Sequence, residues 1–135
     1  MKNIKIIILI LIISGISSSC SVTHYLFLVN NTEKTKQIVI EAYGLDSQII
    51  KYENQIIEIN KHTIQKLNKS PNFRYIEENK CELSLPPKST IYLGMSAKID
   101  GSISKVFLIE EDTIEINDFS TKGLVSPFYT YYEFK

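Results

Sequence analysis

The sequence predicts an all-β fold, arranged as an antiparallel β-sandwich, and three observations carry that prediction. Short runs rich in β-branched and aromatic residues recur at intervals of roughly 8–12 residues. Turn-forming clusters separate them, among them Asn30-Asn31-Thr32, Gly44-Leu45-Asp46-Ser47, Glu78-Asn79-Lys80 and Asp100-Gly101. One short helix, near 60–69, is expected beside them.

Taken in order, the first run is Tyr25 to Asn30 and the second is Gln37 to Tyr43. The polar cluster between them, Asn30 to Thr35, makes the pair read as an antiparallel hairpin with a longer loop. Residues 49–59 support two readings. Ile49-Ile50, Ile56-Ile57 and Ile64 are spaced by seven and could line one helix face. Ile49 to Tyr52 and Gln55 to Ile59 also flank a Glu53-Asn54 pair, a turn signal. β-Branched residues dominate both arms, which favours the hairpin. Asn60 is then a candidate N-cap for a short helix over Lys61 to Asn68, ended by Ser70-Pro71.

From there the pattern is cleaner. Phe73 to Glu77 and Cys81 to Leu85 form a hairpin around Glu78-Asn79-Lys80. Cys81, Leu83 and Leu85 alternate with Glu82 and Ser84, so one face is buried and the other wet. Pro86-Pro87 interrupts the ladder, because neither residue has an N–H to donate. Thr90 to Met95 is a strand, Asp100-Gly101 turns the chain into Ile103 to Glu110, and Thr113 to Ile116 pairs back on it. Phe128 to Phe134 is a last strand, aromatic at five of its seven positions. Eight or nine strands with one helical turn point to an immunoglobulin-like sandwich over a mixed fold. Val29-Asn30-Asn31-Thr32, taken with Leu83 to Leu93, also resembles the β-sandwich accessory domains attached to some glycoside hydrolases. In those a strand ends at proline and a Ser/Thr-led apolar strand follows. The resemblance bears on the fold and not on sugar binding.

The first twenty residues have a different character. Lys2 and Lys5 are followed by eight consecutive Ile or Leu residues, Ile6 to Ile13, then by Ser14 to Ser19, small apart from Ile16, and then by Cys20. Positive, greasy, then small is the layout of a secretory signal peptide. As helix, Ile6 to Ser19 would span only about 21 Å against a hydrocarbon core of roughly 30 Å, which argues against a permanent transmembrane anchor. Ile16-Ser17-Ser18-Ser19-Cys20 resembles the lipobox of bacterial lipoproteins, with Ser17 where that family usually has Leu and Ile16 one residue earlier. The resemblance implies cleavage before Cys20, diacylglycerol on its thiol and an acylated new amino terminus. It also implies that Ser21 directs the protein to the outer membrane of a two-membrane cell. In a single-membrane cell the same lipid would lie in the outer leaflet of the cytoplasmic membrane. The expected organisation is therefore a signal peptide over 1–19, a lipidated cysteine and short linker over 20–24, and a single sandwich over 25–135.

Composition narrows the function classes. The 135 residues carry 15 basic and 15 acidic side chains, and removing Lys2 and Lys5 leaves the remainder mildly acidic. That is no footprint for nucleic acid, which needs a strongly basic face. Cys81 is the one other cysteine, so no internal disulfide forms when Cys20 is acylated, and its alternating surroundings predict a buried, inert thiol. His24 and His62 are too few and too scattered for a zinc site. His62 with Cys81 has no local signature of a nucleophile and base. Glu77-Glu78, Glu110-Glu111-Asp112 and Asp118 read as solvated turn carboxylates. The five glycines form no phosphate loop. No catalytic residue, metal or cofactor is expected.

One feature points outward. Strand alternation places Phe128, Tyr132 and Phe134 on one face and Tyr129 and Tyr131 on the other, where the two tyrosines could offer a surface to an envelope protein or glycan. The expected function is a lipid-anchored cell-envelope protein whose non-enzymatic sandwich serves as an accessory or binding module. An enzyme with a dispersed site and a structural envelope component without a ligand are the alternatives.

Overall fold

The computed structural model describes residues 22–42, 48–96, 103–108, 113–115, 118–124 and 126–135. Ten strands and one helical turn lie among them, so the all-β expectation holds. They are β1 (His24–Asn30), β2 (Lys36–Ala42), β3 (Lys51–Glu53), α1 (Thr63–Lys66), β4 (Phe73–Glu77), β5 (Lys80–Leu85), β6 (Ser89–Ser96), β7 (Ile103–Leu108), β8 (Thr113–Glu115), β9 (Ser120–Lys122) and β10 (Phe128–Phe134). One sheet has the order β3-β6-β1-β10-β9 and the other β4-β5-β2-β7-β8. The Asp100-Gly101 turn and the carboxylates at 110–112 lie outside the described residues.

Apolar alternation explains how the two sheets meet. Leu26, Leu28, Ile91, Leu93 and Phe134 from the first sheet and Ile38, Ile40, Cys81, Leu83, Leu85 and Ile114 from the second form one buried cluster. The sheets therefore face each other across a shared core, and the outward residues Gln37, Glu82 and Ser84 of the second sheet meet water, as the sequence pattern requires. Cys81 lies inside this core, as expected, and burial pushes its thiol up to about 12 from an ordinary 9.0. That shift alone should slow reaction with an aromatic disulfide reagent about a thousandfold at pH 8, since the thiolate is the nucleophile. The native protein should consume no reagent in minutes and one equivalent after unfolding; prompt native reaction would place the thiol at the surface.

Two strand pairings differ from the expected ones. β1 and β2 do not form a hairpin: they lie in different sheets, β1 between β6 and β10 and β2 between β5 and β7. The reason is the Asn30 side chain. It is fully buried, and its Nδ2 donates to the carbonyls of Lys34 (2.8 Å), Leu85 (3.0 Å) and Pro86 (2.8 Å). Its Oδ1 accepts from the Thr32 N–H (3.1 Å) and hydroxyl (2.7 Å). The turn is thereby pinned to the place where β5 hands the chain over at Pro86-Pro87 to β6, so both connections cross between sheets together. The second difference is that the sandwich is not wholly antiparallel. β1 runs parallel to β10 from His24↔Phe128 to Asn30↔Phe134. His24 is accordingly a strand residue and not part of a linker.

Residues 49–59 form neither a helix nor a hairpin. Only Lys51–Glu53 is a strand, paired with β6, and 54–59 has no ladder. Instead the stretch to Leu67 folds over the outer face of the first sheet. Ile57, Ile59 and Leu67 bury against Phe27, Val29 and Tyr92 in a second apolar cluster, with Tyr25, Tyr129 and Tyr131 packed at its margin. The first sheet is thus covered on both faces, which is why Tyr25 to Val29 is a continuous apolar run and not an alternating one. The helix is shorter than expected and Asn60 is not its N-cap: His62 holds that position without a side-chain cap bond, and Asn60 accepts the His62 N–H (2.9 Å) in the turn that precedes the helix.

This cover is held by side chains as well as by burial. The buried Thr90 hydroxyl accepts the Ile57 N–H (3.0 Å) and donates to the Gln55 carbonyl (3.0 Å). Lys69 exchanges backbone hydrogen bonds with Tyr52 (2.9 and 3.1 Å), closing the open edge of β3. The Lys69 ammonium, 2.6 Å from Glu53, and the Asn54 N–H hold the Glu53 carboxyl below its ordinary 4.5. A lowered carboxyl favours the folded state above the unfolded value, and that contribution is lost as pH falls through the lowered one. Thr90→Val keeps the shape but strands a buried N–H and carbonyl, so about 1–3 kcal/mol of stability should be lost. Hydrogen exchange should rise first at Ile57. An unchanged denaturation midpoint would show that this hydroxyl does not hold the cover.

Candidate functional site

The candidate site is the end of the first sheet where the chain arrives. The strand directions fix which residues gather there. β1 starts at His24, beside the end of β6 at Ser96 and the start of β10 at Phe128. β9 runs antiparallel to β10 and ends there too, with Lys122 opposite Tyr129. Thr23 ties the arriving chain to the β9–β10 connection: its N–H donates to the Ser126 hydroxyl (3.1 Å) and its carbonyl accepts the Phe128 N–H (2.8 Å).

A wide apolar groove of about 510 Å³ opens at this end, between the turn at 59–61 and the β9–β10 connection. Ile59, Pro127 and Tyr129 line it, with Leu124 and the two lysines Lys61 and Lys122 on its walls. Among the described lining residues there is no carboxylate. Leu124 is 99% exposed, more than any other large apolar residue described. Lys122 reaches back so that its ammonium lies 5.4 Å from the centre of the Tyr131 ring.

Tyr129 and Tyr131 are on the face the sequence assigns to them, opposite Tyr132 and Phe134. Both are half-buried, because Tyr129 also packs on Tyr25 with ring centres 5.7 Å apart. They offer ring edges and hydroxyls and not a free aromatic wall. β10 is flanked by β1 along its whole length and by β9 over Tyr129 to Tyr131, so the stretch that carries the two tyrosines has no open edge. Cys20 lies outside the described residues.

Several of the other polar groups have structural partners. His24 is buried, stacks on Phe128 with ring centres 5.2 Å apart, and its Nδ1 is 3.1 Å from the Thr130 hydroxyl. Thr130 Oγ1 is in turn 3.1 Å from Thr121 Oγ1. His24 and Thr130 are buried and Thr121 is exposed, and this His–Thr–Thr chain ties β1, β10 and β9 together. Cys81 is closed between the sheets, while His62 is exposed in the cover on the far side of the first sheet, so the two do not meet. Glu77 pairs with Lys80 (3.1 Å), and Asp118 accepts the Glu115 N–H (2.8 Å). Among the described residues no three His, Cys, Asp or Glu side chains converge as metal ligands. A second concavity of about 220 Å³ lies on the outer face of the other sheet, around the Arg74–Glu82 ion pair.

No protein family, characterised protein or solved structure matches the chain. The site therefore has to be read from its own chemistry. Leu124 and Lys61 have no sequence signal of their own, since each sits in a loop stretch without a periodic pattern. What could have pointed to them is Thr23 to Tyr25: a strand beginning so soon after Cys20 brings every strand end beside it close to the same cysteine.

Proposed function

We propose that the chain is a lipid-anchored cell-envelope lipoprotein whose immunoglobulin-like sandwich is a non-enzymatic accessory or binding module. The observation that carries this reading is the order of Lys2 and Lys5, the Ile/Leu run, the small residues and Cys20. Two or three acyl chains, at about 0.8 kcal/mol per buried CH₂, would hold it on a membrane nearly indefinitely. The rest of the molecule fits such a part. The buried polar side chains among its described residues all have hydrogen-bond partners, and the groove beside the β9–β10 connection is apolar and flanked by lysines. Such a surface suits an interaction better than bond chemistry. Tyr131, with Lys122 over its ring, is the place on the module where a protein or glycan partner would dock.

The reading is tested by feeding an alkyne fatty acid to cells making the full chain and following the label on the purified protein. Label that survives denaturation and resists hydroxylamine in part, as an amide-linked chain does, is the expected result. An unlabelled mature protein would remove the anchor from the proposal.

A further inference from the structure

We infer that the end of the sandwich bearing Leu124, Met95 and Val22 rests on the surface of an anionic bilayer, so that the domain is docked on the membrane and does not swing on its anchor. The inference builds on the lipid anchor of the preceding section and adds an orientation to it. Three observations carry it.

The first is reach. Val22 is two residues from Cys20, so an extended link spans at most about 7 Å. Thr23 is already bonded to Ser126 and Phe128, which fixes that link beside the β9–β10 connection. Lipid on Cys20 would hold this end, and no other, within a few ångströms of the headgroups. The second is where the exposed apolar side chains lie. The two most exposed of those described, Leu124 (99%) and Met95 (64%), belong with Val22 (38%) to the end where β1 begins, while Ile49, Ile56, Tyr75 and Ile76 are each 45–55% exposed. Aliphatic groups spread over a surface in this way gain little from water but can bury at the headgroup–acyl boundary. The third is charge. Lys61 and Lys122 flank the groove, and no carboxylate is among its described lining residues. Lysines near a membrane are attracted to anionic lipid over about a Debye length. Without Lys2 and Lys5 the chain is mildly acidic, so the two lysines at the groove are a local feature of this end and not a reflection of the whole. Tyr129, on the groove wall, adds a ring with a polar tip, which suits the interface. Tyr131 is two residues further along β10, about 7 Å from the contact, and stays available to a partner.

The test places an environment-sensitive fluorophore at Leu124→Cys in the full-length chain and reconstitutes the mature protein in phosphatidylethanolamine–phosphatidylglycerol vesicles. Cys81 is buried and Cys20 acylated, so the label goes to position 124. A second variant, Lys34→Cys, carries it at the opposite end of β1. The expected result is a blue-shifted emission at 124 that nitroxide-labelled lipid quenches several-fold more than at 34. Lys61→Glu with Lys122→Glu, or replacement of phosphatidylglycerol by phosphatidylcholine, should reduce that difference at least twofold. Protein that is acylated and vesicle-bound but equally unquenched at both positions would overturn the orientation and leave the anchor standing. A blue shift at 124 without lipid quenching would overturn it too, by showing that protein covers Leu124. Mature protein with a free Cys20 thiol and no vesicle binding would take down the anchor and the orientation together.

Discussion

Replacing Cys20 with alanine should abolish fatty-acid labelling and move the protein from the membrane to the soluble fraction, with a change of at least tenfold in its distribution. The physical reason is that, once the signal peptide is removed, the described residues hold no anchor of comparable strength. Among the described residues no helix is long and apolar enough to cross a membrane. A contact made by Leu124, Met95 and two lysines is far smaller than two buried acyl chains, each of which contributes about 0.8 kcal/mol per CH₂. Without the thiol there is nothing for diacylglycerol to join. The released domain should nevertheless keep its fold, because the strands begin at His24. Its denaturation midpoint should match that of the wild type, which separates loss of the anchor from loss of structure. A Cys20→Ala protein that still sediments with membranes at high salt would mean that another feature holds it there.

Asn30→Asp should be the most damaging single substitution in the sandwich. The two side chains have the same shape, so packing is unchanged, but the group facing the carbonyls of Lys34, Leu85 and Pro86 becomes an acceptor facing acceptors. The site is fully buried, and each buried group left without its partner costs about 1–3 kcal/mol. A loss of about 3–5 kcal/mol is expected against a total stability on the order of 5–15 kcal/mol. Thermal unfolding should fall by on the order of 10–20 °C. Asn31→Ala is the contrast, since Asn31 reaches only Glu133 and Lys88 through its side chain, and a change of about 1 kcal/mol or less is expected. If the two variants unfolded alike, Asn30 would not be the pin between the two crossovers.

Asn30 also marks the limit of what could be read beforehand. Strand positions were legible because alternation is local: Cys81, Leu83 and Leu85 point inward, Glu82 and Ser84 outward, and Tyr129 and Tyr131 oppose Tyr132 and Phe134. Pairing was not legible. A polar Asn-Asn-Thr cluster between two β runs fits a hairpin equally well. Only the three carbonyls around Nδ2, two of them some 55 residues away in the chain, send β1 and β2 to different sheets. The isoleucines of 49–59 misled for a related reason. Their composition is that of a strand, but the tertiary demand is for a cover over Phe27, Val29 and Tyr92. The run Tyr25 to Val29 held that information, since a strand apolar at every position needs a partner on both faces. The groove was invisible because Lys61, Lys122 and Leu124 converge only once β9 and β10 are paired.

The central claim is a modified sulfur on Cys20, and the most direct measurement is the intact mass of the mature protein extracted from membranes by detergent. The account predicts a chain that begins at Cys20 and carries the mass of a diacylglycerol, with a further acyl group where the amino terminus is also modified. A mature chain that starts elsewhere, or that starts at Cys20 with an unmodified thiol, would contradict it.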